Sequence, residues 1–266
     1  MRATVKYLAA GEQTPVYHAS VGGEAARLDM DGQFETREVE IANARLRAEL
    51  PTLERNAFTL VQRPTGVEDF YDEALVRSAY TAEVEALIGE VTGARRVSVF
   101  DHTRRADTAE LRKAHRIREP SAVVHNDYTE RSGPQRVREM LPAEEADARL
   151  AGRFAIVNVW RPVRNPVLTT PLAICDAASL AVHDLVATER RARDRIGEIF
   201  LVRFNPAHRW LYFPHLQLDE AVLIKTFDSG TDGRARFAVH TAFDDPTSPR
   251  GAPPRESIET RAFVFF

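Results

Sequence analysis

Apolar and polar positions alternate along much of the chain, in short runs separated by Pro, Gly, Asp and Ser. Alternation with a period of two is typical of strands that bury one face. Near the N-terminus, ATVKYL and FETREVEI predict a strand pair, and ARRVSVF predicts a later strand. Six further runs rich in β-branched and aromatic residues follow: SAVVHNDYT, RFAIVNVWRPV, RWLYF, EAVLIKTFDS, RARFAVHTAF and SIETRAFVFF. This spacing predicts an all-β barrel or sandwich.

Three stretches have helical rather than strand-like spacing. Residues 72–91 carry a nearly continuous apolar stripe and predict a packing helix that Gly93 ends. The segment QRVREML predicts a second helix with Ser132 as its N-cap, and residues 189–196 predict a third. We interpret these stretches as helices that decorate a mainly β fold.

The chain has 266 residues without internal repeats, which favours one domain. We divide it into an N-terminal cap with a packing helix, residues 1–94, and a barrel that carries the site, residues 95–266. The 36 basic and 39 acidic residues almost cancel, so composition favours neither nucleic acid nor a membrane surface as partner. A small-molecule substrate is the better prediction. We interpret the basic clusters at Arg104-Arg105 and at residues 190–193 as solvated surface.

Cys175 is the one cysteine, so an intrachain disulfide and a thiolate metal cluster are both excluded. The first twenty residues lack the apolar core of a signal peptide, and no window approaches the roughly 18 apolar residues of a membrane span. These features predict a cytoplasmic protein. They leave its oligomeric state open.

His125 and Asp127 are the first candidate metal ligands. They lie two positions apart at the end of the apolar run SAVV, and side chains two apart on a strand share a face. Two imidazoles and one carboxylate form the facial ligand set of non-haem iron(II) oxygenases, which leaves positions free for a bidentate co-substrate and dioxygen. The HxD pair would supply two of the three ligands.

His240, in the late run RARFAVHTAF, is the candidate for the third ligand from a different strand. His215, in WLYFPHLQLDE, is the alternative. An Arg255-Glu256-Ser257 sequence follows His240 but has no counterpart soon after His215, which favours His240.

Arg255 and Ser257 begin the last strand-like run and form an RxS motif. A guanidinium with a neighbouring hydroxyl can hold the distal carboxylate of 2-oxoglutarate while the keto acid end reaches the metal. Arg261 is the rival anchor, because it shares the parity of Arg255 and Ser257 in an extended strand.

The ordered motifs HNDYTERSGPQRVREMLP, FAIVNVWRPV, PLAICDAASL, FDSGTDGRARFAVHTAF and PPRESIETRAFVF resemble one known family. It contains fungal gibberellin desaturase-like oxygenases and a cephamycin methoxylase-related protein, and the resemblance covers roughly residues 95–266. It implies a double-stranded β-helix, that is, a jelly roll or cupin-like barrel with flanking helices. It also implies an iron(II)- and 2-oxoglutarate-dependent dioxygenase of secondary metabolism that hydroxylates, desaturates or cyclises a small molecule.

Carried over by position, His125 and Asp127 match the HxD of the family, His240 its HTAF histidine, and Arg255 with Ser257 its RxS. Asn158 lies on the family-like stretch VNVWRP and is a candidate for co-substrate binding, whereas Trp160 is either core or a substrate contact. Two alternatives keep the fold. One is a non-catalytic partner of a methyltransferase, and the other is a cupin-type iron enzyme that binds no 2-oxoglutarate.

Overall fold

Two β-sheets form the body of the protein in the computed structural model, which describes residues 1–11, 15–18, 22, 29–192 and 195–266. In spatial order, the larger sheet contains β1 (Arg2–Leu8), β4 (Phe34–Asn43), β12 (Trp210–Tyr212), β9 (Leu172–Cys175), β14 (His240–Ala242), β7 (His125–Asn126), β11 (Arg195–Val202), β10 (Leu185–Ala192), β2 (Val16–His18) and β3 (Asp29–Asp31). The smaller sheet contains β5 (Phe58–Gln62), β13 (Glu220–Asp228), β8 (Phe154–Pro162), β15 (Glu256–Phe265) and β6 (Arg96–Ala106).

The helices lie between these strands in the sequence. They are α1 (Leu53–Asn56), α2 (Glu73–Leu75), α3 (Thr81–Thr92), α4 (Ala109–His115), α5 (Ser132–Met140) and α6 (Ala143–Leu150), with a π-helical segment at Val76–Tyr80 between α2 and α3. Short 3-10 turns occur at Ala44–Leu46, Ala177–Ser179 and Val182–Asp184. Within the described ranges, no helix has the length and apolar character needed to cross a membrane.

The smaller sheet is buried on both faces, and its alternation decides which side chains reach the site. Val157 and Val159 of β8 pack in the same core cluster as Val84 and Leu87 of α3. Asn158 and Trp160 alternate with these valines along β8. They point to the opposite face of the smaller sheet, toward the larger sheet. Helix α3 thus covers the outer face and leaves the inner face for polar chemistry.

Helices α5 and α6 close one end of the sheets. Val137 of α5 and Ala146 of α6 pack in one cluster with Phe227 of β13. At Gly133 a Cβ atom would lie 2.7 Å from the nearest carbon of the Phe227 ring, so only glycine allows this approach. The tight contact fixes α5 directly after the HxD segment.

The structure confirms the predicted fold class, a mainly β double-stranded β-helix with flanking helices. The N-terminal strand pair is present as β1 and β4, paired antiparallel, and the helix predicted over residues 72–91 is present as α2 to α3. The helix predicted over residues 189–196 is wrong, because 189–192 and 195–196 belong to the antiparallel strands β10 and β11; residues 193 and 194 lie outside the described part. Strands of the N-terminal third join both sheets, β1 and β4 the larger and β5 the smaller.

Candidate metal centre

Three predicted ligands meet between the two sheets. His125 of β7 and His240 of β14 form an antiparallel register pair, which sets their ring centroids 4.4 Å apart. Asp127 follows β7 directly, and its Oδ1 lies 3.7 Å from Nε2 of His125. One ligand atom from each of the three residues lies within 4.8 Å of the others. The structure therefore brings the HxD pair and the distant histidine to one point.

Backbone contacts fix the orientation of both imidazoles. Nδ1 of His125 donates to the carbonyl oxygen of Val123 over 2.7 Å, and Nδ1 of His240 donates to that of Ala238 over 2.8 Å. A carbonyl only accepts, so each Nδ1 carries the proton and each Nε2 keeps a free lone pair. Burial, together with the charge that His240 can carry, lowers the pKa of His125 to about 3. His125 is therefore neutral, as a metal ligand must be.

The carboxylate of Asp127 is held through one oxygen. Its Oδ2 accepts hydrogen bonds from Nδ2 of Asn158 over 2.8 Å and from Nε of Arg261 over 2.9 Å. Burial alone would raise the pKa of Asp127, but the positive charge of Arg261 keeps this pKa well below its usual range. Within the described residues Oδ1 accepts no hydrogen bond, so it is available to a cation beside two free Nε2 atoms. This donor set fits a metal with the two-histidine, one-carboxylate pattern.

Arg261 is committed to neighbouring side chains. The register of β15 places it beside Asn158 of β8 on one side and Asp101 of β6 on the other. Besides its contact with the carboxylate ligand, it donates to Asp101 over 2.7 Å, to Thr103 over 3.0 Å and to Glu259 over 2.6 Å. These hydrogen bonds position the carboxylate of Asp127 and occupy most of the N–H groups of the Arg261 guanidinium.

Arg255 has a different environment. Its Nε donates to Oγ of Ser257 over 3.1 Å, its Nη1 donates to the carbonyl oxygen of Thr170 over 2.6 Å, and its guanidinium carbon lies 5.1 Å from the centre of the Trp160 ring. Only 3% of Arg255 is exposed, and no carboxylate within the described residues forms an ion pair with it. Burial lowers the pKa of Arg255 to about 10, so it is still a cation at neutral pH.

A small cleft connects this arginine with the two candidate histidine ligands. His125, His240, Trp160 and Arg255 all line it. Asn158 is not part of its lining and instead donates both to the carboxylate ligand and to Glu259. The predicted site residues thus divide into a ligand group, a network that supports it, and an arginine at the far side of the cleft.

A larger cavity of about 240 Å³ lies next to the candidate ligands and shares Arg105 and His125 with the cleft. His125 and Asp127 line it, together with Arg105, Arg118 and Arg190. Sequence reasoning missed these arginines as site residues.

Strand parity explains why they were missed. In β6 the side chain of Arg104 reaches Glu73 on the outer side, whereas Arg105 lines both the cleft and the larger cavity. In β10, Arg190 lines the cavity, whereas Arg191 is exposed beside Glu189. The interpretation as solvated surface is therefore wrong for Arg105 and Arg190, and Arg104 is also largely covered, whereas Arg191 is exposed as predicted. Residue 193 lies outside the described part. Alternation in FDHTRR and in LVATERRA was the signal that could have shown it.

His215, the alternative third ligand, lies away from the site. It is exposed in a turn with φ of 50°. His183 is exposed as well, with 83% of its side chain accessible. Neither belongs to the His125, Asp127 and His240 cluster, which leaves His240 as the third member.

Comparisons with known proteins match most or nearly all of the chain. A family model described as oxidoreductase/YMDC permease-like domain matches residues 5–265. Hydroxylase/desaturase CTB9 from Cercospora beticola is 36% identical over 258 residues, which cover 89% of this chain and 79% of the relative. An Fe(II)/2-oxoglutarate-dependent dioxygenase, nvfI, from Aspergillus novofumigatus is 35% identical over 73% of this chain and 69% of its own.

Solved structures extend the likeness to three dimensions. The iron and alpha-ketoglutarate-dependent endoperoxidase NvfI superposes with a TM-score of 0.86 at 27% sequence identity, over 100% of this chain and 97% of that chain. The similarity therefore includes the N-terminal strands as well as the strands that carry the candidate ligands.

Proposed function

The chain belongs to the oxidoreductase/YMDC permease-like domain family, and we propose that His125, Asp127 and His240 hold the iron with which it oxidises a small molecule. It is an iron(II)- and 2-oxoglutarate-dependent dioxygenase. The observation that carries the ligand assignment is the pair of Nε2 atoms left free by two backbone carbonyls, next to the unbonded Oδ1 of the carboxylate.

When bound, iron(II) supplies the activation of dioxygen, and 2-oxoglutarate supplies two electrons as it is converted to succinate and carbon dioxide. The protein fixes the orientation of the side chains that would bind the metal. Arg261 and Asn158 hold one carboxylate oxygen of Asp127, so the other oxygen is presented in a fixed direction. The two backbone carbonyls fix the imidazole rings in the same way.

Arg255 is the proposed partner of the distal carboxylate of 2-oxoglutarate. It is a buried cation without a carboxylate partner in the described part of the chain, and it shares a cleft with both histidine ligands. Ser257 accepts from its Nε and fixes the plane of the guanidinium, while the ring of Trp160 forms one wall. A guanidinium held in this way offers its remaining N–H groups to a carboxylate with good geometry.

The larger cavity is the proposed site of the prime substrate, because His125 and Asp127 line it whereas Arg255 lines only the cleft. We place this small molecule in secondary metabolism. A cytoplasmic location is part of the proposal and is supported by the single, buried and free thiol of Cys175.

Succinate formation tests the proposal without knowledge of the prime substrate. Purified protein is loaded with iron(II) in the absence of oxygen, given 2-oxoglutarate and then air, and succinate is measured. We expect slow succinate formation by the wild type, and a loss of at least about 100-fold in His240→Ala, because removal of a ligand exceeds the effect of removing an outer partner. The exposed histidine variant His215→Ala is the matched control and should behave as the wild type does.

Two results would contradict the assignment. If His240→Ala keeps its iron and its succinate formation, the third ligand lies elsewhere. If the wild type retains iron but shows neither succinate nor the visible absorption of an iron-bound keto acid, the use of 2-oxoglutarate is wrong.

A further inference from the structure

Three arginines line the larger cavity, and in the described part of the chain none of them forms an ion pair with a carboxylate. Arg105 and Arg118 lie on neighbouring extended segments that form a parallel bridge, so the backbone holds two like charges side by side. Arg190 approaches from β10 of the other sheet, and its guanidinium carbon lies 5.7 Å from the centre of the Tyr17 ring. Among the residues that the structure describes, no carboxylate forms an ion pair with any of these three guanidinium groups.

The acidic groups of the cavity are already occupied. Asp101 and Asp127 both accept from Arg261, at 2.7 and 2.9 Å. Glu198 accepts from Thr129 and lies 3.0 Å from Arg131. Among the described residues, these three carboxylates therefore form their ion pairs with Arg131 and Arg261 and not with Arg105, Arg118 or Arg190.

Two further arginines of the cavity show the contrast. Arg136 and Arg195 also line it, and both pair with Glu139, at 3.2 and 2.7 Å. Arginines in this part of the fold can therefore form ion pairs with a carboxylate. Such a pair is absent, within the described residues, at Arg105, Arg118 and Arg190.

Electrostatics agree with this geometry. Burial lowers the pKa of Arg118, and the charges of Arg105 and Arg261 lower it further. Burial also lowers the pKa of Arg190; Tyr17 and Asp127 oppose this lowering, and the charges of Arg118 and Arg261 add to it. Partly desolvated guanidinium groups that repel one another are stabilised by a bound anion.

Part of the cavity wall is apolar. Phe100, Tyr128 and Ile199 line the same cavity and offer aromatic and aliphatic surface close to the arginines. A ligand that satisfies both parts has an apolar body and one anionic group.

We propose that the prime substrate is an organic carboxylate whose carboxylate binds Arg118 and Arg190 and whose apolar body lies against Phe100 and Tyr128, next to the metal ligands. This inference rests on the proposed function and names its substrate class. Arg105, which lines both the cavity and the cleft, adds positive charge between the two binding regions. The distal carboxylate of 2-oxoglutarate stays with Arg255 in the cleft.

Calorimetric titration of the complete enzyme tests the inference. The protein, loaded with iron(II) and 2-oxoglutarate without oxygen, is titrated with two carboxylates of different shape, decanoate and 1-naphthoate, each beside its methyl ester. We expect the carboxylates to bind at least about tenfold more tightly than the esters, since charge-assisted hydrogen bonds to a guanidinium are about twice as strong as neutral ones.

Variants then assign the preference to residues. Arg118→Gln and Arg190→Gln should each reduce the affinity for the carboxylates by about tenfold and leave that for the esters nearly unchanged. Arg191→Gln is the matched control, because Arg191 is the next residue of the same strand, exposed and paired with Glu189. It should keep the wild-type preference.

The outcomes separate this inference from the proposed function. Absence of the visible absorption of iron-bound 2-oxoglutarate in the wild type contradicts the proposed function. If that absorption forms but the carboxylates bind no better than the esters, the substrate class is wrong while the proposed function stands. If Arg118→Gln or Arg190→Gln removes the absorption itself, these arginines hold the co-substrate, and the inference is overturned.

Discussion

Nε of Arg261 donates to Oδ2 of Asp127 over 2.9 Å, so the carboxylate of the proposed metal site is held by the central residue of a strand in the opposite sheet. The same guanidinium also contacts Asp101, Thr103 and Glu259. One side chain thus joins strand β6 and strand β15 to the segment after β7.

Replacement of Arg261 by Gln should destabilise the fold. It leaves the buried carboxylates of Asp127 and Glu259 without a cation, and breaking a buried pair from one side costs about 3–5 kcal/mol. Urea unfolding measures the loss. Arg2→Gln, which removes an exposed pair with Glu38, is the control and should change the free energy of unfolding by less than about 1 kcal/mol. Equal effects of the two variants would contradict the role of the network.

Arg255→Gln should raise the KM for 2-oxoglutarate by about 10- to 100-fold, because it removes the charge of a charge-assisted hydrogen bond. Succinate formation at increasing 2-oxoglutarate concentrations gives this KM. Arg250→Gln, an exposed arginine five residues earlier, should leave it unchanged. An unaltered KM in Arg255→Gln would move the anchor to another residue, with Arg261 as the first candidate.

The buried pair of Lys225 and Asp228 makes stability depend on pH. Burial alone would raise the pKa of Asp228, but hydrogen bonds from Arg153 and the charge of Lys225 lower it below the ordinary value of 3.8. A carboxyl whose pKa is lower in the folded state stabilises the fold above its unfolded pKa. That contribution is lost as the pH falls through the folded pKa.

Asp228→Asn should therefore be less stable than the wild type at pH 7, and the difference should shrink as the pH is lowered below about 4. Free energies of unfolding at pH 7 and pH 3 measure this change. Asp244→Asn is a suitable control because Asp244 is exposed and forms no ion pair within the described residues. A difference between Asp228→Asn and the wild type that is the same at both pH values would contradict the assignment.

Gly133→Ala should lower the free energy of unfolding by about 1–3 kcal/mol, the usual cost of overpacking a core. The added Cβ would lie 2.7 Å from the Phe227 ring, which is itself buried. Gly152→Ala is the control, because the nearest atom to its Cβ would be 3.9 Å away. Thermal or urea unfolding compares the two. A neutral Gly133→Ala would show that α5 can shift away from β13.

Local spacing alone placed His125 and Asp127 near each other, since they are two positions apart, although Asp127 lies directly after strand β7 and not within it. His240 and Arg255 needed the order of motifs along the chain, because no local signal joins residues 115 positions or more apart. The structure brings His125, Asp127 and His240 together as that order implied.

The predictions that were wrong concern features that depend on the pairing of strands distant from the local pattern. Residues 189–192 and 195–196 contain helix-forming Glu and Arg, yet β10 and β11 pair over eight positions, and this pairing overrides local propensity. The side of the sheet on which Arg105 or Arg190 lies is set by register with a neighbouring strand. Residue type alone therefore predicted that these arginine side chains are exposed to solvent, whereas they line a cavity.

The strands of the larger sheet are short where the metal site is proposed. Strand β7 has two residues and β14 has three, and a single register pair, His240 with His125, joins them in the ladder. An ion that binds both rings would act as a cross-link across this seam between two halves of the sheet. Bound iron would then stabilise the pairing of β7 with β14. Hydrogen exchange of the backbone amides in these two strands should therefore slow when the metal is added.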